Sequence, residues 1–479
     1  MGAVMESPKF VTGSLHRHIA VMTSTAALGL MAVFLVDLAD IYFLSLLGEV
    51  ELAAAVGYAG SVLFFTTTIC IGISIAMAAL VSRAVGTGNK LSAQRYIASV
   101  SVFSVAVTAP CALIVWLNIP LFLELLGAAG RAHELAALYL RIIVPSMPIL
   151  ALGMSMGGVL RAMGDPKHAM ITTIAGSVIN VILDPILIFG LDMNVAGAAV
   201  ASVAARIAVL IVGVRYVVKR QYMPSGLSII EFRDDLAAIL KIAVPAMLTN
   251  VATPVGNAYV TASMAKFGDS YVAGFSIVGR LMPVAFGVVF ALSGAVGPII
   301  GQNFGAGRMD RVHKTLINAL IFSTTVVVVV SVILLLLQNQ IVEVFNAEQA
   351  SAALIQFFCT FIAISFVFNG AQFISNAAFN NLGHPLWSTW ANWGKATLGT
   401  IPFVWLGARI YGAEGVLAGQ AIGGLFCGAL TMILALRLTR RLADEKPDES
   451  QTDTPDLTFR VPLSAQTSCN GWLGVFRRD

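Results

Sequence analysis

The stretches LMAVFLVDLADIYFLSLLG, residues 30–48, and MITTIAGSVINVILDPILIFG, residues 170–190, decide the fold. Each is an apolar run of the ~20 residues that a helix needs to cross a ~30 Å hydrocarbon layer. Each also holds a carboxylate, Asp40 in the first and Asp184 in the second. A charge left in lipid costs several kcal/mol, so intramembrane acids mark sites rather than decorate spans. Asn180 precedes Asp184 by one helical turn and shares its face. An amide and a carboxylate therefore point together into whatever space Asp40 also reaches. The constellation reads as a cation or proton site.

Working outward, similar apolar runs recur from His18 to Leu436, about twelve in all. The 479 residues are 58% hydrophobic and 11% charged, with a mean hydropathy of +0.86, more apolar side chain than a globular interior can hide. The chain reads as an all-α integral membrane protein of about twelve transmembrane helices, because barrel strands would alternate polar and apolar residues. The first run carries Asp37 and Asp40 with no cleavage pattern after it, so it reads as a retained helix. Basic residues collect in alternate loops: Arg83, Lys90 and Arg95, then Arg161 and Lys167, then Lys219, Arg220, Arg233 and Lys241, then Arg308, Arg311 and Lys314. By the positive-inside rule both termini are expected in the cytoplasm. The net charge of +4 then reflects topology and not a nucleic-acid partner. Cys70, Cys111, Cys359, Cys427 and Cys469 show no metal or redox spacing and read as small apolar filler.

The chain is duplicated. SRAVGTGNKLSAQR in the first half answers GQNFGAGRMDRVHK in the second, setting Gly86 and Gly88 against Gly305 and Gly307. RAMGDPKH answers NNLGHPLW, with Gly164 and Pro166 against Gly383 and Pro385. Both alignments share one offset, 305 − 86 = 383 − 164 = 219. Two pseudo-symmetric six-helix bundles follow, related by an axis along the membrane normal: residues 1–228 and 229–441. Residues 442–479 turn abruptly polar and read as a disordered cytoplasmic tail. The Gly-Gly loops read as tight turns. No phosphate loop, HExxH, GxSxG or Ser/His/Asp cluster is present, so nothing points to an enzyme.

The order of features resembles the multidrug and toxic compound extrusion (MATE) family, nearest its DinF-like branch, over almost the whole chain to about residue 440. An acid in helix 1 is followed by LLGEVELAAAVG, the GTGN loop, YLRIIVPSMP, LRAMGDPKHAM, NVILDPILIFG and GAAVAS. The resemblance implies a secondary exporter of the cell membrane that moves amphipathic, often cationic small molecules outward against H⁺ or Na⁺, as a monomer with no resident cofactor. By position, the family's helix 1 acid falls on Asp40, its helix 5 pair on Asn180 and Asp184, and its helix 6 hydroxyl on Ser202, where threonine is more usual. Met22 stands where a helix 1 proline is common, while Pro245 survives in helix 7.

The physical account of coupling stands beside that resemblance. Low dielectric and mutual repulsion favour a proton on at least one of Asp40 and Asp184. Alternatively Na⁺, a hard cation, sits among Asp40, Asp184, the Asn180 carbonyl and Ser202. Either occupant neutralises the site and can bias one access state. Asp37, one turn before Asp40, reads as a water-facing partner of the site. Arg206 is either a counter-ion to the acids or a snorkelling arginine, and Arg280 reads as interior. Lys395, if it faces the cleft, favours anionic or zwitterionic cargo.

The substrate cleft is expected between the lobes. Met31, Phe34, Met147, Met154 and Met282 give it soft apolar walls. Arg280, Asn257, Asn369, Gln372 and Asn376 give it polar groups. A lipid-linked precursor flippase is the alternative transport reading, and it would want a cleft rich in Arg and Lys for pyrophosphate.

Overall fold

The computed structural model describes residues 8–45, 50–222, 226 and 228–444. Among them, eleven helices are long and apolar enough to cross a membrane. The last, Pro385–Asp444, is two helices, because Tyr411 and Gly412 leave helical geometry, Gly412 at φ 61°. In chain order the spans are α1 Leu15–Ser45, α2 Val50–Gly86, α3 Lys90–Leu117, α4 Gly130–Ala162, α5 Pro166–Gly190 and α6 Asn194–Lys219. They continue with α7 Ile229–Phe267, α8 269–305, α9 Met309–Val344, α10 Gln349–Leu382, α11 385–410 and α12 413–444. A short helix, Ile119–Leu125, joins α3 to α4.

Hydropathy predicts one continuous helix over 271–303, but α8 breaks at Phe286, with Pro283 in the turn before it. α1, which lacks the proline, runs unbroken. α12 continues through Asp444, past the expected lobe boundary at 441; residues 445–479 of the expected tail, and 223–225 and 227 of the connector, lie outside the described residues.

The repeat is written into the backbone. Gly88 and Gly307 both take positive φ, 73° and 69°, as do Gly164 and Gly383, 75° and 90°. In each pair glycine ends one helix in the left-handed region, where a Cβ is penalised. After Gly164 and Gly383, a proline in the first turn starts the next helix, where its missing N–H costs nothing. Asp165 completes the first of these turns by accepting the His168 N–H at 3.4 Å. A 3-10 turn interrupts α4 at Val144–Ser146 and α10 at Ala363–Ser365, again 363 − 144 = 219 residues apart.

Each lobe leans its first helix on the other lobe. Leu15, Ile19 and Met22 of α1 are buried with Leu292, Val296 and Ile299 of α8. Reciprocally, Ile239, Ile242 and Ala243 of α7 are buried with Ile73, Met77 and Leu80 of α2.

At the end carrying the basic loops the two lobes touch backbone to backbone. A Cβ on Gly86 would lie 2.2 Å from the Gln302 carbonyl oxygen, and one on Gly305 would lie 2.2 Å from that of Arg83. The two contacts are one contact seen twice, since 302 − 83 = 305 − 86 = 219. Gly86 and Gly305 are therefore close-approach glycines and not the turn glycines the loops predict. Arg83, expected in a loop, is buried within α2; its Nε and Nη2 donate to the carbonyls of Asn381 and Asn380 at 2.9 and 2.8 Å. Those carbonyls end α10, where a cation also meets the negative pole of the helix. Gln302 Nε2 donates to the Ala162 carbonyl at 2.6 Å, and the Phe10 N–H donates to Gln302 Oε1 at 3.0 Å, so the N-terminal arm is stitched into the same seal.

Candidate functional site

α1, α4, α5 and α6 converge on one polar cluster inside the first lobe. Asp184 is followed by Pro185 and a π-helical segment, Ile186–Gly190. Proline has no N–H to return to the preceding turn, so α5 is loosened next to the acid, a setting typical of functional sites. With its amide assigned the orientation that satisfies both its ends, the Asn180 nitrogen donates to Asp40 Oδ1 at 3.0 Å and to Asp184 Oδ2 at 3.3 Å, while its oxygen accepts the Ser202 N–H at 3.3 Å. The amide thus bridges the two acids and ties them to α6. The two carboxyl groups share one amide. A proton held between them would let one carboxyl donate to the other, which a pair of carboxylates cannot do.

Exposure divides the acids. Asp184 is fully buried, and its Oδ1 has no hydrogen-bond partner among the described residues. Asp40 and Asp37 instead line a cavity of about 720 Å³, within the usual size of small-molecule sites. Ser202 and Tyr139 line it as well. Tyr139 was not among the residues expected from the sequence. The only signal for it is a phenol in the largely apolar YLRIIVP, where Arg141 is the one charge, and its face on α4 is set by packing.

Every residue lining this cavity falls between Met22 and Val209, so it lies within the first lobe and not between the lobes as expected. Of the predicted cleft residues only Met154 lines it. Met147 is 2% exposed and packs in the core with Cys70 and Ile143. Met31 meets α8, where its Cε lies 2.5 Å from the place a Gly287 Cβ would take. Phe34 is half-buried, and Met282 packs against the second lobe's core.

The second-lobe polar residues are bonded among themselves. Lys395 donates to Asn369 Oδ1, Gln372 Nε2 to the Ala391 carbonyl at 3.3 Å, and Gln420 Nε2 to Asn257 Oδ1 at 3.4 Å. Gln372 is fully buried and Asn376 nearly so. Arg280, expected in the interior, is exposed, on the face of the first α8 segment opposite the residues that pack into the second lobe's core. Arg206 pairs with neither acid; its Nη1 donates to the Ile143 carbonyl at 3.2 Å and to Ser146 Oγ at 2.7 Å, groups exposed by the 3-10 turn.

Two six-helix lobes clamped at one end, with a carboxyl pair beside a cavity, define a membrane transporter and not an enzyme. The MatE family model matches the chain twice, over residues 26–186 and 245–406, once in each lobe. The chain belongs to the MatE family. It is similar to the FAD transporter of Shewanella oneidensis, 28% identical over 418 residues, which cover 86% of this chain and 92% of that one. It is also similar to the multidrug export protein MepA of Staphylococcus aureus, 27% identical over 323 residues, covering 66% and 70%. Among solved structures, a mutant of the MATE transporter VcmN of Vibrio cholerae superposes with a TM-score of 0.86 at 25% identity, covering 90% of this chain and 99% of that one. VcmN in the bent form gives 0.83 at 26% identity, covering 89% and 98%.

Proposed function

We propose that the protein exports amphipathic small molecules, cationic ones among them, through the first-lobe cavity in exchange for protons taken up at Asp40 and Asp184. The single observation carrying this reading is the Asn180 bridge between the two acids, with Asp40 on the cavity wall and Asp184 sealed behind it. A cargo cation in the cavity meets the charge on Asp40; a proton arriving there removes that charge and releases the cargo. Na⁺ is the alternative coupling ion. It would be served by the other amide orientation, in which the Asn180 oxygen faces the two carboxylates as a further hard ligand. Relatives named for FAD transport and for multidrug export support a cargo of planar amphiphiles over a single compound.

The basic loops and the interlobe clamp share one end of the molecule, which we assign to the cytoplasm, with both termini on that side of the inner or plasma membrane. The transporter works as a monomer in this reading, since the cavity is complete within one chain. The flippase reading is weaker. Only two arginines, Arg161 and Arg206, line the cavity, and the second is already engaged by Ile143 and Ser146.

The test is transport by purified protein in proteoliposomes under separately imposed pH and Na⁺ gradients, comparing wild type with Asp40→Asn and Asp184→Asn. A pH gradient alone is expected to drive concentrative transport of ethidium by wild type and by neither variant. Full gradient-driven transport by both variants would refute coupling at these acids, and drive by Na⁺ alone would refute the proton.

A further inference from the structure

At the far end of the first-lobe cavity from the acids stands Arg161, in the last turn of α4. Pro166, which lines the cavity near it, precedes Asn180 on α5 by 180 − 166 = 14 residues, a rise of about 21 Å. An arginine at a helix end can snorkel to water. This one does not: its Nη1 turns back one helical turn into the lobe, 3.5 Å from where a Gly157 Cβ would stand, and the side chain lines the cavity.

No hydrogen bond or ion pair is made by Arg161 among the described residues, and the groups around it explain why. Asp165, the nearest acid in sequence, is held by Arg220 Nε at 2.8 Å and Nη2 at 2.5 Å, and by His168 Nδ1 at 2.8 Å. Among the hydroxyls lining the same cavity, those of Thr25, Thr172 and Thr173 donate to carbonyls of their own helices. A guanidinium carries five donors and a permanent charge, and in a low-dielectric wall both call for an acceptor. The side chain lines the cavity, whose wall also carries the apolar Met22, Met154 and Met170.

We propose that Arg161 is the anion-binding end of this cavity, taking the phosphate or carboxylate of an amphiphilic solute whose apolar body lies along the methionine-bearing wall. The planar fork of the guanidinium suits either group through paired N–H bonds. The cavity is then dipolar, with acids at one end and a cation at the other. Its cargo would include zwitterionic and anionic amphiphiles as well as cations. This rests on the export reading of the same cavity, but it is tested by binding, so each can fail alone.

The experiment compares riboflavin with riboflavin phosphate, which share a ring and differ in the anion, by fluorescence titration of purified full-length protein. Wild type is expected to bind the phosphate at least about tenfold more tightly, about 1.4 kcal/mol. Arg161→Ala should bring the two to within about twofold, Arg161→Lys should keep an intermediate preference, and Arg440→Ala, an exposed change near the end of α12, should leave it intact. Melting temperatures report that each variant is folded. Equal or undetectable binding of both flavins by wild type, or a preference that survives Arg161→Ala, overturns the proposal. Repeating the titration in phosphatidylcholine nanodiscs with added phosphatidylglycerol identifies the source of the anion. Persistence of the preference supports a solute, and its abolition assigns the subsite to a lipid headgroup and overturns the solute reading. If the preference holds while no gradient drives transport, the export reading fails and this one stands.

Discussion

Substituting alanine for Gly86 tests whether the interlobe clamp is one of two alternating states. The added Cβ would lie 2.2 Å from the Gln302 carbonyl oxygen and 2.8 Å from its carbonyl carbon and Cα. These are main-chain atoms of a packed helix, so neither can rotate away. Restoring van der Waals contact needs a separation of about 1 Å, which a packed interface resists at about 1–3 kcal/mol. That strain acts only while the lobes are closed at this end. The ratio of closed to open molecules should therefore fall by a factor of about 5–150, with the fold intact. Gly305→Ala meets Arg83 at the same 2.2 Å and should behave alike. Gly57→Ala and Gly294→Ala supply the controls: nothing lies within 4 Å of either, and alanine is about 1 kcal/mol the better helix former. The assay is the distance between spin labels at Leu91→Cys and Arg308→Cys in a cysteine-free background, measured with transport. Longer distances and slower transport are expected for both clamp variants and for neither control. An unchanged distance distribution in Gly86→Ala, or an equal change in the controls, refutes the reasoning.

Arg83→Lys should weaken the same clamp by about 1–3 kcal/mol, because a lysine cannot reach the Asn380 and Asn381 carbonyls together; the same spin-label pair reads it as a gain in the longer distance. Burial pushes the Asp165 carboxyl up, but hydrogen bonds from His168 and Arg220 outweigh it and hold the group below its ordinary 3.8. A lowered carboxylate contributes stability that is present above pH 3.8 and lost as pH falls through the folded value, so the melting temperature of Asp165→Asn should lie below wild type near neutrality and converge on it in acid. Gly412→Ala forces a side chain into φ 61°, ψ −138°, a region that is almost glycine-only, and should lower stability by about 1–3 kcal/mol in thermal unfolding.

What was legible in the chain was whatever depends on neighbours along it. Hydropathy counts spans because a helix must satisfy its own backbone in lipid, so the twelve helices could be read locally. The offset between RAMGDPKH and NNLGHPLW could be read too, because a glycine at positive φ before a proline is a local device. Asp40, Asn180 and Asp184 stood out because acids are rare in such runs, and the one-turn spacing of the latter two gave their shared face.

Only the tertiary structure decided which faces meet. Gly86 and Gly305 look the same as Gly88 and Gly307 in the loop sequence, yet the first pair serves close approach and the second serves turns. Met147 and Met154 are two turns apart on one helical face of α4, yet the first is buried with Cys70 and Ile143 while the second lines the cavity, because the neighbours differ at the two depths. Arg161 read as a topology signal, and its inward turn depends on Gly157 leaving room and on Arg220 occupying Asp165. The physical reason is one of range: lipid solvation acts on each helix separately, whereas the cavity is a joint property of α1, α2, α4, α5 and α6, set by contacts between residues far apart in the chain.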